Sequence, residues 1–173
     1  SEDIAVSKTI SAGTLQNIYN AYKELFEDYS KIHGTLLAQM NTVLKQVGGK
    51  AYSGKLDLES IFDDNVLIDT NNLKDGQCKE GARAYKYYLR EVVMQLNTLF
   101  VWKDNASECL EQLKNLTEGE DLQESKAHYL ITQLEIADQH VQDAIKAFTK
   151  HTVIKDLTVN KFTHYSEEVF DQV

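Results

Sequence analysis

Residues 14–47 read TLQNIYNAYKELFEDYSKIHGTLLAQMNTVLKQV, and within them Leu15, Ile18, Tyr22, Leu25, Tyr29, Ile32, Leu36, Met40, Val43 and Val47 recur in steps of three and four. That spacing gathers apolar side chains on one face of a helix of 3.6 residues per turn. A helix this long cannot bury its stripe alone, so the stretch demands partner helices. Gly34 interrupts it at about 1 kcal/mol against alanine and is a candidate bend, while Gly48 and Gly49 are stop signals.

The same periodicity returns twice. Ala82, Tyr85, Leu89, Val92, Leu96 and Leu99 form a second stripe, which resumes at Ala106, Leu110 and Leu113. Lys103 stands where an apolar residue is due, and Asp104 and Asn105, with Glu108 three residues after Asn105, resemble caps, so the helix is expected to restart near residue 105 within a helical span of 80–116; the alternative is a continuous helix with one polar defect. Leu130, Leu134, Ala137, Val141, Ala144 and Phe148, joined by Ile145, make a third stripe over 122–150, inside the 54 residues after Gly119 that hold neither glycine nor proline. Residues 153–170 mix β-branched and aromatic residues, and a further helix is expected from Asp156.

Residues 48–77 break the pattern with Gly48, Gly49, Gly54, Gly76 and the run DTNN at 69–72. About thirty residues is long for a connection inside a compact domain, and reads as a crossover between distant helix ends or as a functional loop. A short helix near 56–64 and an apolar touch-down at Val66, Leu67 and Ile68 fit within it. The expected fold is all-α: an antiparallel bundle of four to five helices in one domain, 1–173, with one long loop or crossover at about 48–77.

Composition agrees. The 173 residues contain no proline, 42% hydrophobic and 26% charged residues, enough to bury a core and permissive of long helices. The formal charge is −9, and residues 118–173 alone carry 11 acids against 5 lysines. Such a field repels phosphate, which makes nucleic acid a poor partner. No apolar run reaches the roughly 18 residues of a membrane span.

Catalytic and metal chemistry find little purchase. No two of the five histidines stand closer than eleven residues, so none make the helical ligand pairs of a metal centre, and neither Glu-x-x-His nor His-Glu-x-x-His occurs. Asp69 and Asn71 begin like a calcium loop, but Leu73 and Lys74 occupy positions that need an oxygen ligand and a glycine. Glycine-rich phosphate loops and a G-x-S-x-G elbow are also missing. The expectation is a protein with no catalytic residues, metal or cofactor.

Two cysteines, Cys78 and Cys109, are a candidate disulfide only if the first turns after Gly76 are not helical, so that Cys78 can fold back. Sequons at Asn105 and Asn115 are candidate glycosylation sites, although two is close to chance in a chain with ten asparagines. With a first residue other than methionine they favour a secreted or extracellular protein over a cytoplasmic one. Nine tyrosines, six phenylalanines and one tryptophan remain. Tyr19, Phe26, Tyr87 and Trp102 fall beside or off the core stripes and are the candidate partner-binding residues. The reading is a helical-bundle binding protein that captures a protein partner or an apolar small ligand; the alternative is an intracellular adaptor or scaffold pairing with another helical chain.

Overall fold

The computed structural model describes residues 10–46, 49–57, 79–119 and 123–150, with side chains for all of these except 46 and 79–88. Three helices account for most of them: α1, Ala12–Gln46; α2, Lys79–Glu118; and α3, Glu124–Thr149. The described residues contain no strand. None of these helices is long and apolar enough to cross a membrane. The short helix expected near 56–64, the touch-down at 66–68 and the helix expected from Asp156 lie outside the described residues, so three helices stand where four to five are expected.

Helix α1 starts where its cap dictates. The Ser11 hydroxyl accepts the Thr14 amide at 3.1 Å, satisfying one of the orphan donors of the first turn. At the other end the Gly49 amide donates to the Leu44 carbonyl at 2.7 Å. Gly34 makes no break: it lies on the exposed side, with nothing near the place a Cβ would take.

Two compact units divide the chain, one of residues 1–31 and 102–141, the other of 32–101 and 142–173. Within the first, Leu15, Phe26 and Tyr29 of α1 are buried together with Ala106, Leu113 and Leu116 of α2 and Ala127, Leu130, Leu134, Ala137 and Val141 of α3. Within the second, His33, Leu36, Met40, Val43 and Leu44 are buried with Tyr52, with Leu89, Val92, Val93, Leu96 and Leu99, and with Ala144 and Phe148. Each fully buried leucine contributes about 1.5–3 kcal/mol relative to exposure.

The third stripe is buried as its spacing predicts except at Ile145, which is half-buried beside it. On α1 the buried face departs from the apolar reading by one residue: Phe26 and His33 are buried, while Leu25 is only half-buried and Ile32 is 38% exposed. The reason is register. Positions 22, 26, 29, 33, 36, 40 and 43 alternate steps of four and three, the 3.5-residue repeat that keeps one seam facing a partner helix, and that repeat takes in a histidine.

Helix α2 likewise does not restart at residue 105. Lys103 occupies the next step of the series Leu99, Lys103, Ala106, Leu110, Leu113, half-buried, and the helix runs through it. Burial lowers the Lys103 pKa, an effect that neighbouring Asp104 opposes. Backbone hydrogen bonding tolerates one polar side chain in the seam when no proline or glycine follows. Asn105, expected as a cap, is an exposed mid-helix residue.

In the second unit, residues 50–57 form a strap held by two asparagines. The Asn41 side chain donates to the Tyr52 carbonyl and accepts the Tyr52 amide, both at 2.8 Å, as a strand neighbour would. Asn97 of α2 accepts the Leu56 amide at 2.6 Å. Between these staples Gly54 adopts φ +101°, and a Cβ there would stand 3.2 Å from the His33 Cε1. Only glycine meets both demands without strain. The His33 ring lies 5.9 Å from that of Phe100, over which Lys55 places its ammonium at 5.7 Å.

Asn41→Ala leaves two backbone groups of Tyr52 without their partners and is expected to cost about 2 kcal/mol, and Gly54→Ala about 1–3 kcal/mol, both read as urea midpoints. The Tyr52 hydroxyl, buried with no hydrogen-bond partner among the described residues, has its pKa pushed far up by desolvation. The folded state therefore holds this proton more tightly than the unfolded chain. Its contribution is complete below about pH 10 and falls as pH rises above that value. Tyr52→Phe is expected to leave neutral-pH stability unchanged or slightly higher and to flatten its alkaline decline.

Candidate functional site

The first unit contains an open groove between α2 and α3. Beside the buried seam of α2 runs a second row, Trp102, Asn105, Cys109 and Gln112, again in steps of three and four, so all four side chains share a face. Glu108 joins them, and α3 supplies Tyr129, Leu130 and Gln133. Together they enclose a groove of about 250 Å³. Leu130 is buried and forms an apolar floor; Tyr129, at 62% exposure, is the most exposed of the large hydrophobic residues among the described residues.

Trp102 is held from one side. Its ring stacks on the His140 imidazole with centroids 4.2 Å apart and planes 10° from parallel, fixing the indole by contact with α3. The stack brings α2 and α3 together within the first unit. Further along α3, Asp138 accepts a hydrogen bond from the Tyr29 hydroxyl of α1. Tyr22 has its pKa raised, first by burial and then by the charges of Glu135 and Asp138. All three causes favour the protonated Tyr22 phenol.

Cys109 is a free, half-buried thiol. Helix α2 begins at Lys79, and Cys78, with which a bridge was considered, lies outside the described residues. Burial pushes the Cys109 thiol up, and the adjacent Glu108 charge pushes it further. A nucleophilic or metal-binding cysteine needs the opposite shift. The described residues contain no group of three or more histidine, cysteine or acidic side chains placed to hold a metal ion.

The four aromatics expected off the core separate. Trp102 is half-buried and lines the groove. Tyr19 is half-buried on α1. Phe26 is a correction: at 4% exposure it belongs to the core, its ring edge-on to Tyr29 at 5.3 Å, because the seam register of α1 includes position 26. The Tyr87 side chain lies outside the described residues. Both sequon asparagines are exposed on α2, Asn105 in the groove lining and Asn115 outside it. Tyr129, Gln112 and Gln133 carry the groove without having been singled out by sequence. Tyr129 had a signal of the kind applied to the other aromatics, since it stands one position off the stripe at Leu130.

No protein-family model matches the chain, and comparison with curated proteins and with solved structures yields no match.

The thiol offers a direct check on the local electrostatics. Alkylation of Cys109 by iodoacetamide is expected to run slower in the folded chain than for an unperturbed cysteine at neutral pH, with its pH–rate midpoint displaced upward from about 8.5. Mass-spectrometric rate measurements on a Cys78→Ser background isolate the signal. A midpoint below that of a free cysteine would refute the environment described.

Proposed function

We propose that the chain acts by binding rather than by catalysis, and that its recognition site is the groove between Trp102 and Tyr129. The observation that carries this reading is the pairing of a highly exposed tyrosine with a tryptophan braced from behind by His140, across an open cleft with an apolar floor. Aromatic side chains that are rigid and accessible bind at low entropic cost, and they dominate recognition surfaces. The upward-shifted thiol at Cys109 supports a binding role over nucleophilic chemistry in the same cleft. Exposure of Asn105 and Asn115 is compatible with a secreted glycoprotein, which intact mass before and after deglycosylation would test.

Trp102 is the only tryptophan of the chain, so its emission reports the groove alone. Titration with a panel of peptides, saccharides and small apolar and charged molecules is expected to find a class that shifts the emission saturably. Tyr129→Ala should weaken that response at least ~10-fold, the scale of a lost aromatic anchor, with the helical circular dichroism unchanged. A panel without a single saturable response would remove the groove as the recognition site.

A second reading, a helical adaptor that pairs with another helical chain, draws support from the exposed hydrophobics. Met94 and Val101 stand seven residues apart on α2, and Tyr129 and Ile136 seven apart on α3, all exposed. A seven-residue repeat on an outer face is the pattern of a further coiled-coil seam. Sedimentation of Met94→Lys with Val101→Lys beside the parent chain separates this reading, since it alone expects a loss of association.

A further inference from the structure

We infer that the groove takes a neutral saccharide ring, an assignment that rests on the groove being the recognition site and names the chemistry of its ligand. The lining decides the class by exclusion and by fit. It contains no lysine, arginine or histidine, so an anion would meet only the Glu108 carboxylate and uncharged groups. A wholly apolar ligand would strip water from Asn105, Glu108, Gln112 and Gln133 and return no hydrogen bond. A cation would find Glu108 and the aromatic faces. Glu108, however, is exposed, where a single ion pair is weak, and a cation carries donors only, leaving the amide N–H groups of three carboxamides unused.

A sugar ring matches the whole set. Each carboxamide of Asn105, Gln112 and Gln133 offers a donor and an acceptor, and each ligand hydroxyl does the same, so the pairs close in both directions. The carbon-bound hydrogens on one face of a pyranose form a flat apolar surface suited to an aromatic ring, and Trp102 and Tyr129 both border the cleft. Leu130 provides the apolar base. Asn105 is also the first residue of a sequon, so the saccharide has two possible sources: a free sugar, or the glycan carried by Asn105 itself.

The test uses the full chain, isotope-labelled and made without glycosylation, titrated with N,N′-diacetylchitobiose, lactose and maltose while nuclear magnetic resonance follows the Trp102 indole N–H and the side-chain amides of Asn105, Gln112 and Gln133. Saturable shifts confined to these groups are expected with at least one sugar. Gln112→Ala and Tyr129→Ala, both at exposed positions, should weaken the response, the first by up to ~10-fold and the second by at least ~10-fold, with circular dichroism unchanged. The second arm uses the chain secreted from glycosylating cells. If Asn105 carries a glycan and the indole is already at its sugar-bound position, the source is the chain's own glycan. If the indole keeps its free position and responds to added sugar, the source is a free saccharide. No shift with any of the three sugars, and no displacement in a chain glycosylated at Asn105, overturns the inference. A shift with a tetra-arginine peptide alone overturns it while retaining the groove as a binding site; silence towards the sugars, the peptide and the wider panel removes both.

Discussion

The constraint on which this structure depends is geometric. Each of three helices carries a seam that repeats in alternating steps of three and four, and a seam of that period has no means of leaving water except against another of its kind. On α3 the series Ala127, Leu130, Leu134, Ala137, Val141, Ala144 and Phe148 is buried throughout. On α2 it runs from Leu89 to Leu113 with one polar guest, Lys103, and on α1 it includes His33. These guests show which influence is stronger. Helical register is set by the backbone over many residues, so a single histidine or lysine is carried into the seam instead of rotating or breaking the helix around itself.

Where the helical pattern stops, side-chain chemistry substitutes for it. Residues 50–57 have no ladder of their own, yet their backbone is held because Asn41 presents to Tyr52 the donor and acceptor that a neighbouring strand would supply, and Asn97 receives Leu56. The positive φ of Gly54 then lets the strap approach the His33 ring. A buried polar residue on α1 and a glycine in a loop thus form one local arrangement, each requiring the other.

The groove arises from the row next to a seam. Side chains one helical position away from the buried face are neither core nor fully solvated, and where two helices meet they define the walls of a cleft. Trp102, Asn105, Cys109 and Gln112 are such a row, opposite Tyr129 and Gln133. Partial burial also sets the chemistry. It raises the Cys109 thiol above its ordinary value, and the His140 stack braces Trp102 while the cleft stays open.

Sequence by itself determined the all-helical class of the described residues, the ends of α1, α2 and α3 to within two residues, and most of the seams of α3 and of α2 from Leu89 on, because period and terminal residues are local properties written in consecutive positions. It also placed Trp102 off the core. Tertiary structure decided the rest. Apolar counting could not place His33 in the seam of α1 or withdraw Phe26 from the surface, since register depends on the partner helix and not on the hydrophobicity of any one residue. The continuity of α2 through Lys103, the asparagine staples across 50–57 and the meeting of Trp102 with His140 and Tyr129 join residues distant in the chain. Their geometry exists only once the helices have packed.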